Sequence, residues 1–311
     1  LAFEFDDQRR FLPVEIIDQI NCHGKVVISP AALVLLSRNN IRVSYFNGRG
    51  EFLGSYTPEG NAKAADVLLR QCTLYGEGPA RLIIARQFEK ANLHNMRANL
   101  KYYARRHPSM DLSQHIAFLD QQTKALADAR TVNDMMLIEA RARQGYYASF
   151  RTLIINRAFP FSVRTKRPPR DEVNAMISFG NALLYNYFLR SIYETALNPK
   201  IGVVHATNQR DNSLNLDFAD VFKPVVVDRV VLGLINRKEI APEHFERRGE
   251  GVYLAGEGRR IFLSKFEEKL SSIHTENGKE VSFRQLMGDD IRRFQANLLT
   301  GETFKPYHYN C

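Results

Sequence analysis

The hydrophobic pattern of this chain changes its period once, near residue 57, and that change restricts the folds available to it. From Phe3 to about Tyr56, short segments rich in β-branched residues alternate with a period close to two, which is typical of strands. From Ala62 onward, apolar residues recur at helical spacing for most of the chain. The pattern predicts an α+β fold, in which a small N-terminal β-rich domain precedes a larger, mostly α-helical domain.

A candidate domain boundary follows this change of period. A chain of 311 residues exceeds the usual size of a single hydrophobic core, so two domains are expected. Gly76, Gly78 and Pro79 cluster where the chain can turn without a regular element. We therefore predict a β-rich domain over residues 1–76 and an α-helical domain over residues 77–311.

Local signals place the individual elements. Ser29 is a candidate helix N-cap, Pro30 suits the first helical position, and Asn39 and Asn40 end that helix. Strands are expected at residues 11–17, 19–22, 25–29, 41–46 and 51–56, the last two as a hairpin around NGRG. Further helices are expected at about 62–74, 80–106, 112–127, 131–157, 174–197, 217–237 and 281–299. A second hairpin is predicted to pair residues 251–254 with 261–263 across Gly256 and Gly258.

Residues 201–229 place one histidine and two carboxylates within an otherwise apolar run. His205 follows two valines, and Asp217 and Asp220 lie three apart in LDFAD, on one face if that segment is helical. Imidazole nitrogen and carboxylate oxygen suit Mg²⁺ or Mn²⁺, and such a cation suits phosphate chemistry. The alternative is a hydrogen-bonded histidine beside a solvated helix start. Spacing alone leaves both open.

Glu139 is a third candidate ligand, on a helix whose other charges are mostly basic. It could complete a metal site from a separate helix, with coordination positions left for phosphate and water. It also lies four residues before Arg143, so the pair could be an ordinary surface ion pair. Sequence spacing does not choose between the two.

A cationic segment precedes the next helix. Arg164, Lys166, Arg167 and Arg170 fall within seven residues, beside prolines that favour an extended loop. Such a loop near a metal site would suit a phosphate backbone, and the alternative is a solvated loop. Lysine and arginine exceed acidic residues by 43 to 34, and this net charge of +9 indicates a polyanionic partner.

Several functional classes find no support. The chain contains no G-x-x-x-x-G-K-[ST], H-E-x-x-H or G-x-S-x-G motif, which disfavours nucleotide-hydrolysing motors, zincins and serine hydrolases. The three cysteines are far apart, so a disulfide framework is not expected and a cytoplasmic location fits. No apolar run approaches the ~20 residues that span a bilayer, so we expect a soluble protein without a membrane partner. The opening LAFEFDDQRR suggests a trimmed start or the continuation of a longer chain.

Three blocks of the sequence belong together: a helical LIEARAR segment, RPPRDEVNAMISFGNALLY, and IGVVH followed by LNLDFADVFKPVVVDR. Together these blocks resemble the CRISPR-associated protein one family, the integrase and endonuclease of spacer acquisition. Their order and spacing match across about residues 10 to 309. The resemblance implies a β-rich N-terminal domain that mediates homodimerisation and a helical domain that holds the metal. The family's opening strands are only partly present ahead of Phe11.

The resemblance also implies roles for single residues. The family's metal-binding glutamate falls on Glu139, its histidine on His205 and its last acidic residue on Asp220, where many members have glutamate. Asp217 is the companion carboxylate and a further candidate ligand. The basic residues expected to position DNA are Arg143, Arg164, Lys166, Arg167, Arg170 and Lys223.

The function implied is Mg²⁺- or Mn²⁺-dependent joining of prespacer 3′-hydroxyl ends to the CRISPR repeat by transesterification. The implied partners are double-stranded DNA, a second copy of the chain, CRISPR-associated protein two, and a fused or associated prespacer-processing nuclease. Two alternatives remain open at this point. One is a free-standing metal-dependent DNA nuclease, and the other is a DNA-binding scaffold without catalysis.

Overall fold

The computed structural model describes residues 1–5, 8–17, 19–23, 25–46, 52–56, 58, 65–205, 211–276 and 278–310. The N-terminal elements are β1 (Ala2–Phe5), β2 (Gln8–Phe11), β3 (Gln19–His23), α1 (Pro30–Arg38), β4 (Arg42–Phe46) and β5 (Phe52–Tyr56). β1 and β2 pair antiparallel, while β3, β4 and β5 form a second sheet in that order. β3 and β4 are parallel, because α1 returns the chain to the same end of the sheet.

The start of α1 confirms the predicted cap, since the Ser29 hydroxyl accepts a hydrogen bond from the Ala32 amide at 3.2 Å and Pro30 opens the helix. β4 and β5 pair antiparallel as predicted, and the turn at residues 47–50 lies outside the described residues. Two strand predictions were wrong. Residues 11–17 contain a 3-10 turn at Val14–Ile16, and residues 25–29 run without a strand partner.

The rest of the chain is mostly helical, which confirms the predicted fold class. The helices are α2 (Ala65–Gly76), α3 (Gly78–Arg106), α4 (Ser113–Asp128), α5 (Val132–Ala148), α6 (Phe150–Leu153), α7 (Glu172–Tyr193), α8 (Leu214–Phe222), α9 (Val227–Asn236), α10 (Gly256–Ser271) and α11 (Phe283–Thr300). The strands are β6 (Phe245–Arg248), β7 (Gly251–Leu254), β8 (Ile273–Glu276) and β9 (Lys279–Ser282). Each predicted helix is present, although residues 131–157 and 217–237 are each divided in two.

The predicted pairing of residues 251–254 with 261–263 was wrong. β7 pairs with β6 on its N-terminal side, and residues 261–263 belong to α10. Gly258 lies in the first turn of α10, where an added Cβ would come within 2.3 Å of the His244 carbonyl oxygen. This glycine therefore permits a close backbone approach rather than a hairpin turn.

The apolar side chains form two cores. The smaller core contains Cys22, Leu36, Ile41 and Val43. The larger core extends through the helical part and includes Val67 of α2, which packs against α11. Every residue of α8 is buried, so this helix carries both of its aspartates into the interior of the helical part. None of the helices in the described ranges is long and apolar enough to cross a membrane.

Candidate active site

Asp217 anchors the segment that carries His205. Its Oδ2 accepts hydrogen bonds from the backbone amides of Val203 and Val204 at 2.6 and 3.2 Å. Its Oδ1 accepts from the His205 amide at 3.0 Å and lies 2.7 Å from His205 Nδ1. Four donors therefore surround one carboxylate whose side chain is fully buried. Because Nδ1 donates to Asp217, the neutral imidazole keeps its free lone pair on Nε2.

The loop at residues 198–205 is fixed from its other sides as well. A Cβ on Gly202 would lie 2.9 Å from Ser213 Cβ and 3.0 Å from Asp217 Oδ2, so the loop can approach α8 this closely only with glycine there. The Gly202 amide donates to the Ser213 hydroxyl at 3.0 Å. Nε of Arg81, near the start of α3, donates to the Val203 carbonyl at 2.8 Å. Hydrogen bonds from several sides to the backbone of this loop thus fix the position of His205.

Asp220 lies one helical turn after Asp217 and faces His205. Its Oδ2 is 3.9 Å from His205 Nε2, and its Oδ1 accepts a hydrogen bond from Lys223 Nζ. Lys223 Nζ also lies 4.6 Å from the centre of the Tyr185 ring of α7, a cation–π contact. The i,i+3 spacing in LDFAD therefore places one aspartate behind the histidine and the other in front of it.

Glu139 reaches the same place from α5. Its Oε1 accepts from Arg143 Nε, and Arg143 Nη2 lies 3.3 Å from Asp220 Oδ2. The guanidinium therefore bridges the two carboxylates that the sequence assigned to a metal. Arg143 Nη2 is also 3.5 Å from Asn92 Oδ1, and Asn92 Nδ2 donates to Glu89 Oε2 at 3.1 Å. Asn92 and Glu89 are buried residues of α3.

The charges in this cluster perturb one another. Burial opposes ionisation of Asp220, but Lys223, Arg143 and His205 outweigh it and hold the pKa of Asp220 well below its usual value. Burial lowers the pKa of His205, whereas the hydrogen bond and charge of Asp217 raise it, and the net shift is upward. Burial followed by repulsion from Glu139 and Asp220 raises the pKa of Glu89 well above its usual value.

The donor set suits a hard divalent cation. A neutral Nε2 faces a carboxylate, and an aspartate behind the ring fixes its tautomer, as second ligand shells of metal-bound histidines do. Glu139, Arg143, His205 and Asp220 keep 10 to 17% of their side chains exposed, so the cluster opens to solvent. Within the described ranges no three His, Cys, Asp or Glu side chains are arranged to hold a metal. At this cluster, Arg143 lies between Glu139 and Asp220.

The cations predicted to position DNA occupy different settings. Arg164 donates to Asn174 Oδ1 and Ser178 Oγ at 2.9 Å each, so it ties the loop to the start of α7. Arg170 pairs with Glu250 at 3.3 Å, and Arg167 is exposed. Lys166 is exposed too, but partial burial of its ammonium and the nearby charges of Arg143 and Lys223 lower its pKa. Lys166 is thus the loop cation electrostatically coupled to the cluster.

Sequence reasoning missed three parts of this cluster. Glu89 and Asn92 lie on a long helix with many charges, which sequence alone presents as a solvated face. Tyr185 falls within the predicted helix at 174–197, where no sequence signal marks it as a partner of Lys223. The available signal was spacing: Glu89 and Asn92 are three apart and share one helix face, as do Asp217 and Asp220.

Comparison with known proteins agrees with the resemblance seen in the sequence blocks. A family model described as "CRISPR associated protein Cas1" matches residues 1–268. A "CRISPR-associated endonuclease Cas1 2" from Thermodesulfovibrio yellowstonii is 35% identical over 309 residues, which cover 99% of this chain and 93% of the relative.

Solved structures give the same result. A CAS1 protein from Thermotoga maritima superimposes with a TM-score of 0.77 at 34% identity, covering 98% of this chain and 94% of that one. A casposase bound to its integration product has a TM-score of 0.81, covering 99% of this chain and 88% of that one, and at 23% identity it shows a shared fold only. Our chain belongs to the CRISPR associated protein Cas1 family.

Proposed function

We propose that this protein is a metal-dependent DNA integrase and endonuclease of CRISPR adaptation, which joins prespacer 3′-hydroxyl ends to the repeat by transesterification. The observation that carries the proposal is the placement of His205 Nε2 3.9 Å from Asp220, with Glu139 linked to that aspartate through Arg143. Family membership and the endonuclease name of a relative at 35% identity support DNA as the substrate.

Glu139, His205 and Asp220 are the residues that would hold Mg²⁺ or Mn²⁺. Once bound, the cation would polarise a phosphoryl oxygen and stabilise negative charge on the attacking and leaving 3′ oxygens. Asp217 was also a candidate ligand, but four donors already occupy its two oxygens. We assign it to orienting the imidazole and not to direct ligation.

The lysine and arginine residues around the site would bind the DNA during strand joining. Joining forms a bond from a donor 3′ oxygen to a repeat phosphorus and breaks the bond to the leaving 3′ oxygen, so the number of phosphodiester bonds is conserved. The attacking hydroxyl loses a proton and the leaving oxygen gains one through solvent. Lys166, whose charge interacts with those of Arg143 and Lys223, would attract the phosphate. Lys223 would keep Asp220 ionised. The exposed Arg167 would contact the backbone further away.

The N-terminal part supports the proposed homodimer. Several apolar residues there are exposed: Phe11 by 70%, Ile16 by 68%, Val27 by 98% and Leu53 by 66%. Exposed apolar groups concentrated in one part of a chain commonly mark a protein interface. A solved Cas6-RT-Cas1–Cas2 complex of similar fold supports CRISPR-associated protein two and a fused or associated prespacer-processing nuclease as the further partners in this proposal.

Strand joining tests the proposal directly. The purified protein is incubated with CRISPR-associated protein two, Mn²⁺, a labelled duplex with 3′-hydroxyl ends and a repeat plasmid. Asp220→Asn should reduce joining by about a hundredfold or more, because it weakens the metal site without changing its shape. Asp66→Asn is the control, since Asp66 lies in an exposed ion pair with Arg70.

The same assay separates the alternatives. Nicking that consumes the plasmid without joined product would favour a free-standing nuclease. DNA binding without nicking or joining, unchanged in His205→Ala, would favour a non-catalytic scaffold. Either outcome would overturn the integrase proposal.

A further inference from the structure

The contacts that Arg143 makes with two carboxylates suggest a role that its positive charge alone would not indicate. Its Nε donates to Glu139 and its Nη2 lies 3.3 Å from Asp220, the two carboxylates proposed as metal ligands. A guanidinium carries its positive charge on a rigid planar fork that matches two carboxylates. Both carboxylates are largely buried, so their negative charges need a positive charge nearby. In the metal-free protein Arg143 supplies that charge.

We propose that Arg143 is an internal counter-ion that competes with the divalent cation for Glu139 and Asp220 and is displaced when that cation binds. The inference rests on the proposed function, because it takes Glu139 and Asp220 as ligands. A cation bound to Asp220 Oδ2 would lie close to Arg143 Nη2, which is 3.3 Å from that oxygen, and the two positive charges would repel each other. Metal binding must therefore include the cost of separating Arg143 from both acids.

The neighbourhood provides a place for the displaced side chain. Asn92 Oδ1 is a neutral acceptor already 3.5 Å from Arg143 Nη2. Asn92 is itself positioned by its hydrogen bond to Glu89. A guanidinium that swings toward Asn92 leaves the carboxylates yet stays beside the site, where a DNA phosphate can bind it.

Metal affinity without DNA tests this inference. Free Mn²⁺ is measured by electron paramagnetic resonance while the full chain is titrated. Arg143→Gln should bind Mn²⁺ more tightly than the wild type, by about tenfold, within the usual range of coupling between two sites. Arg141→Gln is the matched control, because Arg141 is an exposed arginine of the same helix. Its affinity should equal that of the wild type.

A second variant, Arg143→Lys, and a measurement on the wild-type protein show whether a change in affinity arises only from misfolding of Arg143→Gln. An ammonium cannot bridge both acids as a fork does, so Arg143→Lys should show a smaller gain than Arg143→Gln. In wild-type protein with ¹⁵N-labelled arginine, nuclear magnetic resonance follows the Nε proton of Arg143. This proton should exchange slowly with water in the absence of metal and faster after Mg²⁺ is added.

The outcomes separate this inference from the proposed function. Mn²⁺ binding that is unchanged or weaker in both Arg143 variants, with slow Nε–H exchange retained, would overturn the inference alone. No Mn²⁺ binding by the wild type or by either variant would overturn the proposed metal site and the inference with it.

Discussion

His205 and Glu139 face the same cluster, but one is held by backbone amides and the other by a side chain. On the His205 side, Asp217 accepts three amide hydrogen bonds and fixes the ring. On the Glu139 side, the partner is Arg143, which has several rotatable bonds. The comparison indicates that the histidine side is preorganised for the proposed metal, whereas the glutamate side would have to rearrange to receive it.

The largest effect should come from removing the anchor on the preorganised side. Asp217→Ala leaves three amides and an imidazole without their acceptor, and we expect it to lower the free energy of unfolding by about 3–5 kcal/mol. Glu139→Gln should cost about 1 kcal/mol, since Arg143 keeps Asp220 as a partner. Urea unfolding of the metal-free proteins measures both. Equal losses would contradict the contrast between the two sides.

A smaller effect is expected from crowding the loop. Gly202→Ala places a methyl group 2.9 Å from Ser213 Cβ, so the loop must move away from α8 and carry His205 with it. We expect a loss of about 1–3 kcal/mol in the free energy of unfolding, together with weaker Mn²⁺ binding. Gly233→Ala is the control: an added Cβ there meets nothing within 4 Å and lies in α9, so stability should rise by roughly 0.5–1 kcal/mol.

The pH dependence of Mn²⁺ affinity and the pH dependence of stability in the metal-free protein should have opposite signs. Since the pKa of His205 is raised above its usual value of 6.5, Mn²⁺ affinity should fall as pH drops through that raised value, by about tenfold per unit. In the metal-free protein the same shift stabilises the fold below pH 6.5, and this contribution is lost as pH rises through the folded-state pKa. Titration calorimetry and urea unfolding across pH 5 to 8 would check the two signs. His205→Gln should remove both of these pH dependences.

The smallest effect concerns the cationic loop. Lys166→Ala should weaken DNA binding and reduce the salt slope of log K by about one, the value for a single phosphate contact. Arg170→Ala should leave the slope nearly unchanged, because Arg170 already pairs with Glu250. Fluorescence anisotropy over a salt series measures both slopes. A larger change for Arg170 would indicate that DNA follows the outer edge of the loop.

The sequence predicted the histidine side better than the glutamate side, for a physical reason. His205, Asp217 and Asp220 lie within sixteen residues of one another, and helical spacing relates the two aspartates. Glu139 was assigned only through the family resemblance. Its bridge to Asp220 through Arg143 depends on how α5 and α8 each pack against α3, and a single sequence does not encode that distance locally.

Glycine gave both a correct and an incorrect prediction. The NGRG segment flanked by alternating apolar residues led to a correct pairing of β4 with β5. Gly256 and Gly258 gave a wrong hairpin, because a glycine required for close packing looks the same in sequence as one required for a turn. Local pattern predicts the presence of most elements, whereas their tertiary neighbours decide what a glycine does.

Gln71 of α2 bears on how the chain could be divided. Its side-chain amide donates to the carbonyls of Asn198 and Ile201 at 2.9 and 2.7 Å, and its carbonyl accepts from the Asn198 amide at 3.0 Å. A fragment that starts at the predicted boundary, residue 77, would lack this clamp on the loop that ends at His205. A piece of the chain meant to keep His205 in place should therefore include α2, which supplies these three hydrogen bonds.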